Sequence, residues 1–255
     1  MPQLYAYDNR FFETADRTAA ISADHVIRHL VEQLPIRSVL DLGCGRGVWL
    51  AMWLKRGATE VQGVDGPYVD QDRLHIEKSQ FLARDLAQPL ELDRQFDLVE
   101  SLEVAEHIPE QASERFIDSL VRHGRLVLFS AATPGQGGEH HVNEQPPEYW
   151  QLKFAARDFE MFDFLRPRLK SNKAVYLWYR HNVFVYAHRS IANSLPPAIA
   201  ATRVPPGQTP ADTLPYWARM RKGLVRCLPR PLVDQLARST HSLRNSIDAL
   251  SRGPS

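Results

Sequence analysis

The segment Ser101-Leu102-Glu103-Val104-Ala105-Glu106-His107-Ile108-Pro109 carries two carboxylates and an imidazole at i, i+3 and i+4. On a helical turn those positions are neighbours on one face, so the three groups can converge on one point. Carboxylate oxygens suit hard cations such as Mg²⁺ or Mn²⁺, and an imidazole extends the choice toward softer ions. Three ligands leave coordination positions open for water or substrate. A fourth donor is available further along the chain in Gly138-Glu139-His140-His141-Val142-Asn143-Glu144. A histidine titrates near neutrality, so His107 is equally suited to act as a general base with no metal.

A second cluster is suited to holding a cofactor. Val39-Leu40-Asp41-Leu42-Gly43-Cys44-Gly45-Arg46-Gly47 is an apolar strand ending in an acid and three alternating glycines, followed by the apolar helix Val48-Trp49-Leu50-Ala51-Met52-Trp53-Leu54. Glycines at such a turn permit positive φ and let a ligand approach the backbone, and the helix amides then face it. A dinucleotide fingerprint requires G-x-G-x-x-G, and Val48 occupies the place of its third glycine. Two more short apolar stretches close on acids, at Asp65 after Val61-Gln62-Gly63-Val64 and at Asp85 after Phe81-Leu82-Ala83-Arg84. In a parallel sheet these acids lie at the carboxyl ends of strands, where ligands bind.

The elements that must position these groups alternate strand and helix. Strands are predicted over Ser38–Leu42, 61–65, 81–86, 96–99 and 124–130, with helices over 109–122 and 147–158 and two last strands over 159–165 and 182–187. Such alternation predicts an α/β fold, a Rossmann-like sheet with helices on both faces. Pro146 and Pro147 suit the start of the 147–158 helix, where a missing N–H costs nothing.

Asp41 with the G-x-G-x-G turn resembles the first motif of the class I S-adenosylmethionine (SAM) methyltransferases, and the resemblance extends over roughly residues 1–190. It implies a seven-stranded, mostly parallel sheet with an antiparallel end. It implies a SAM site made by Asp41, Gly43, Cys44, Gly45 and Gly47, with Asp65 on the ribose hydroxyls, Asp85 and Leu86 at the adenine, and Ser101 after strand four. The Glu-x-x-Glu-His arrangement with a later histidine is similar to that of two metal-dependent families, the small-RNA 2′-O-methyltransferases and the ubiquinone-pathway O-methyltransferases. Carried over, the metal ligands are Glu103, Glu106, His107 and one of His140/His141, and the catalytic groups are Glu106, His107 and His141. His141 is preferred, because His141-Val142-Asn143-Glu144-Gln145-Pro146-Pro147-Glu148-Tyr149-Trp150 resembles a block in bacterial methyltransferases of glycan-biosynthesis clusters, as do Tyr7-Asp8-x-x-Phe11-Phe12 and Trp178-Tyr179-Arg180-His181-Asn182. The expected reaction is methyl transfer from SAM to a sugar hydroxyl, with divalent-metal assistance. The alternatives are an aromatic or RNA-end hydroxyl, or SAM binding without transfer. Tyr149, Trp150, Trp178 and Tyr179 are candidates to stack on a sugar ring.

Charge divides the chain. Residues 195–255 carry nine Lys/Arg against three Asp/Glu, a net of +6, and residues 1–194 sum to −5. A basic groove for nucleic acid is therefore not expected in the catalytic part, which disfavours RNA, and the saccharide or glycan acceptor is what the resemblance implies. Prolines at 196, 197, 205, 206, 210 and 215 predict a linker over 191–215, separating a 1–190 domain from a basic, helical extension over 216–255. That extension alternates apolar and basic residues over 217–228 and 231–250, which suits a membrane surface, self-association or packing on its own domain. Cys44 and Cys227 are the only cysteines and predict no disulfide framework. No apolar targeting pattern precedes the acids Asp8, Glu13 and Asp16, so a cytoplasmic and at most membrane-peripheral protein is expected.

Overall fold

Alternation along each strand builds a sheet buried on both faces. The computed structural model describes residues 9–229 together with 232, 233 and 235. Its strands are β1 (Ser38–Leu42), β2 (Glu60–Asp65), β3 (Phe81–Ala83), β4 (Leu98–Leu102), β5 (Leu126–Ser130), β6 (Phe159–Phe162), β7 (Phe184–His188) and β8 (Arg203–Val204). They form one sheet in the order β3-β2-β1-β4-β5-β7-β6-β8. Strands β1 to β5 are parallel, β7 runs antiparallel between β5 and β6, and β8 pairs antiparallel with β6. Val39, Leu126, Leu128 and Val185 pack into one apolar layer, and their neighbours Leu40, Val127, Phe129 and Phe184 into the other. Burial on both faces is why these strands read as continuous apolar runs.

The helices are α1 (Asn9–Val31), α2 (Val48–Lys55), α3 (Ser113–Arg122), α4 (Pro147–Ala155), α5 (Arg166–Leu169), α6 (Leu177–Asn182), α7 (Arg189–Ala192), α8 (Pro197–Ala200) and α9 (Tyr216–Arg226). One layer takes Val26, Ile27 and Leu30 of α1 with Leu50 and Trp53 of α2, and the other takes Phe116 and Leu120 of α3 with Trp150 and Phe154 of α4. The chain reverses direction across the sheet between β1 and β4, so the crevice at their carboxyl ends is where such a sheet receives a ligand.

Three differences from the sequence expectation bear on the site. Strand β4 begins and ends later than 96–99, because Glu100 pairs with Asp41 of β1 and with Leu128 of β5, and Ser101 pairs with Phe129 of β5. The third strand stops at Ala83, leaving Asp85 and Leu86 in the turn beyond it. Where proline density predicts a linker, residues 191–215 hold α8 and β8 and bury Leu195, Ile199 and Leu214, so this stretch is packed onto the domain. The predicted 231–250 helix, and Tyr7 and Asp8, fall outside the described residues apart from 232, 233 and 235. No helix among the described residues is long and apolar enough to cross a membrane.

Candidate functional site

The cofactor side of the crevice is a turn shaped by its backbone. Gly43 sits at φ +95°, and a Cβ there would lie 2.3 Å from Cγ2 of Val104, so a side chain is refused on two grounds. Gly45, at φ +53°, has nothing within 4 Å of the place a Cβ would take, which leaves the turn open on that side. Gly47 is the residue on which α2 begins. Cys44 is buried, with its thiol on the Gly45 carbonyl at 3.4 Å, and burial pushes that thiol up.

Asp65 ends β2 beside this turn. Its carboxylate accepts from the Gly45 amide at 2.7 Å, the Gly66 amide at 2.6 Å and the Tyr68 hydroxyl. Burial raises its pKa against those three donors. A carboxylate has about four acceptor positions, so capacity remains for a ligand hydroxyl. Asp85 and Leu86 line a cavity of about 240 Å³ together with Leu42 and Leu90, and Asp85 Oδ1 takes the Ala87 amide at 2.9 Å. Ser101 is placed differently. It is fully buried, and its hydroxyl donates to the Leu42 carbonyl at 2.8 Å, clamping β4 to the end of β1.

Behind the turn Asp41 has an acidic neighbour, Glu100, that lies outside the sequence motifs. Asp41 and Glu100 are register partners on adjacent strands, and both are buried. Glu100 Oε2 accepts from Trp53 Nε1 at 2.9 Å, and its other oxygen has no hydrogen-bond partner among the described residues. Burial lifts Glu100 to about 8, against the Trp53 hydrogen bond. Burial, Glu100 and Asp65 together hold Asp41 well above the usual carboxylate range. The available signal was an acid inside an apolar strand.

The other side of the crevice is assembled from two loops. Glu106 and His107 lie on a single 3-10 turn, Ala105–His107, after β4, and His141 on the loop after β5. One donor atom from each of these three residues falls within 4.8 Å of the others, making them a group that could hold a metal ion. His141 Nε2 stands 4.0 Å from Glu106 Oε1, and the two imidazoles meet edge to face at 5.0 Å. Each ring is oriented through its other nitrogen, His141 Nδ1 by Glu144 at 2.8 Å and His107 Nδ1 by the His140 carbonyl at 3.3 Å. His140 itself therefore serves through its backbone, at φ +56°.

Glu106 is the group with least compensation. It is fully buried and neither carboxylate oxygen has a hydrogen-bond partner among the described residues. Burial and the nearby Glu103 push its pKa well up, and the backbone amides of Glu106 and Ala132 pull it the other way. Burial and the adjacent His141 push His107 down to about 3, so the ring is neutral. Glu144 stays below the usual carboxylate range although burial pushes it up, because His141 and the amides of Gly137 and Gly135 favour its charge.

Glu103 is not on a common helical face with Glu106 and His107, since it precedes the 3-10 turn at φ +56°. Its carboxylate accepts from Gln136 Nε2 at 2.6 Å and Asn182 Nδ2 at 3.1 Å. It stands beside the three-residue group, engaged by amides. Of the aromatic candidates, Trp150 packs on Phe129 in the core, Trp178 joins Leu214 and Ala218, Tyr179 meets Trp49 edge to face at 5.1 Å, and Tyr149 lies under the Lys153 ammonium. A cavity of about 350 Å³ opens beside His141, walled by Asn143, Glu144, Val142 and Gly137 on one side and by Val225 and Arg226 on the other.

The wall on that second side comes from α9. Arg221 donates to the Gln136 carbonyl at 2.7 Å, Arg226 to the Pro134 carbonyl at 3.1 Å, and Lys222 to Thr133 Oγ1. A Cβ on Gly135 would stand 2.5 Å from the Lys222 carbonyl, so the loop fits closely under the helix.

Sheet order, glycine turn and the buried acid ending β2 together define a class I SAM-dependent methyltransferase domain. The methyltransferase domain family matches residues 9–170, well over half of the chain, and the chain belongs to that family. Curated relatives include the ubiquinone biosynthesis O-methyltransferases of Neisseria meningitidis serogroup C, 30% identical over 57% of this chain and 60% of that protein. That of Pseudomonas syringae pv. tomato is 36% identical over 44% of this chain and 47% of that protein. The chain thus spans about half the length of these relatives. Among solved structures, a sugar N-methyltransferase from Streptoalloteichus shares the fold at 18% identity and a TM-score of 0.56, covering 74% of this chain and 96% of that one.

Proposed function

We propose that the protein is an O-methyltransferase acting on a sugar hydroxyl of a saccharide or glycan, with Glu106, His107 and His141 holding a divalent cation. The orphaned carboxylate of Glu106 carries this reading. A buried carboxylate with no donor is costly unless a cation or proton compensates it, and two imidazole nitrogens face the same point. Imidazoles steadied through their second nitrogen are the usual surroundings of a metal ligand. Two nitrogens and one carboxylate favour Mn²⁺ over Mg²⁺ among the expected ions. A bound cation would make a coordinated hydroxyl more acidic.

SAM supplies an electrophilic methyl group on its sulfonium sulfur. Asp65 and the open side of Gly45 hold it at the carboxyl end of β2 and β1. The chain's remaining task is to align an acceptor oxygen with that carbon and to remove its proton, and alignment alone can contribute several kcal/mol. The cavity beside His141, with Asn143, Glu144, Glu110, Gln145 and Arg226 on its walls, offers a hydroxylated acceptor more hydrogen-bonding groups than a planar aromatic ring would use.

A second reading rests on the His141–Glu144 hydrogen bond. A carboxylate on Nδ1 leaves Nε2 free to take a proton, so His141 would act as the general base with no metal. Methyl transfer from labelled SAM to a panel of saccharides, catechols and RNA ends, with and without exhaustive chelation, separates these. Saccharide methylation lost to EDTA and restored by Mn²⁺ is the expected result. Activity that survives chelation leaves the His141 base, and methylation of catechol alone overturns the sugar assignment.

A further inference from the structure

Among the described residues, helix α9 uses one face to wall the cavity beside His141 and leaves the other exposed. Ala218 is buried against Trp178 and Leu214, and Arg221, Lys222 and Arg226 are tied to the 133–136 loop, which fixes the rotation of the helix. That rotation turns Tyr216, Trp217, Met220 and Leu224 outward, with Tyr216 70% and Leu224 69% exposed. Leu228, which also lines the cavity, and Leu232 follow at the same four-residue step, 37% and 47% exposed. Six of the nine large hydrophobic residues exposed among the described residues thus fall between 216 and 232.

At helical spacing the four α9 residues occupy an arc of roughly 100°. The arc is bordered by Arg221 on one side and by Arg219 and Arg226 on the other, all three exposed. From 216 to 229 there are four basic residues and no acid. Long cationic side chains at the rim of an apolar face can lie along it and keep their charge in water. Aromatic residues suit the headgroup level, and a convex stripe of Leu, Met, Trp and Tyr offers no socket for a shaped protein partner.

We propose that the outer face of α9 docks on the surface of a bilayer rich in anionic lipids. The sign of the charge selects the occupant. The basic, acid-free rim matches a negative headgroup layer, and the −5 carried by residues 1–194 turns the rest of the domain away from it. The cavity beside His141 then lies about one helix diameter, about 10 Å, from the lipid surface. The docking does not depend on the identity of the acceptor.

Vesicle co-sedimentation of the full chain tests this, using phosphatidylglycerol/phosphatidylcholine mixtures against pure phosphatidylcholine. Binding is expected to the anionic vesicles, weakening as salt rises. Leu224→Glu and Trp217→Glu should each lower the partition coefficient about tenfold or more, and the same change at exposed Leu152 on α4 should leave it unchanged. Arg219→Glu, which leaves the apolar stripe unchanged, should lower binding at low salt only. SAM affinity retained in each variant shows that the domain is intact. Absence of binding to the anionic vesicles, equal binding to both compositions, or indifference to Leu224→Glu and Arg219→Glu overturns the proposal. A dimer in light scattering that Leu224→Glu dissolves, without vesicle binding, also overturns it and assigns the face to a second copy of the chain.

Discussion

The two sides of the crevice are built by different means. The glycine-turn side uses backbone: glycines at φ +95° and +53°, an amide on Asp65, and strand ends contiguous with the motif that encodes them. The other side uses side chains from segments far apart in sequence, with Glu106 and His107 after β4, His141 and Glu144 after β5, Asn182 at the end of α6, and α9 closing the cavity. Backbone sites tolerate most neighbours and fail where a Cβ is added. Side-chain sites fail one hydrogen bond at a time.

Substitutions can break or sharpen that contrast. Glu106→Gln keeps the shape and removes the charge, and kcat should fall about 1000-fold with SAM affinity unchanged. Isothermal titration with SAM alongside initial rates checks this, and a parallel loss of SAM affinity would mean that the two sides are not separable. Gly43→Val is the converse. Its side chain meets Val104 at a φ that only glycine adopts cheaply, so SAM affinity should fall about 100-fold while Mn²⁺ binding, read by electron paramagnetic resonance, persists. Glu144→Gln releases the His141 ring without touching either ligand, and should cost about 30-fold in Mn²⁺ affinity or activity.

The smallest effect is one of stability. Glu100 titrates at about 8 in the folded chain against 4.5 when exposed, so the native state keeps a proton that the unfolded chain gives up. The contribution is complete below about 4.5 and is lost as pH rises through about 8. Glu100→Gln should flatten this loss between pH 5 and pH 8.5, measured by urea unfolding at both.

What could be read from the chain before folding follows the same division. The order of strands, the glycine turn and Asp65 were legible because each is encoded within a few consecutive residues. His141 was legible as a candidate, but its preference over His140 was not a matter of spacing. The loop after β5 turns His140 to φ +56°, so its carbonyl faces His107 and the next imidazole faces Glu106. Glu103 was read onto a helical face that is a 3-10 turn, and its partners Gln136 and Asn182 lie 33 and 79 residues away. The 191–215 stretch read as a linker because proline bars long helices, yet four-residue helices and a two-residue edge strand leave room for all its prolines.

The sequence by itself determined the α/β sheet, the glycine turn and the charge division between domain and tail, since periodicity, glycine spacing and charge are local or additive properties. Tertiary structure decided which carboxylate is left without a donor, which histidine joins it and which face of α9 looks outward. Those depend on where separate loops meet, and a buried polar group or an exposed apolar stripe is defined only by what the rest of the chain does or does not place against it.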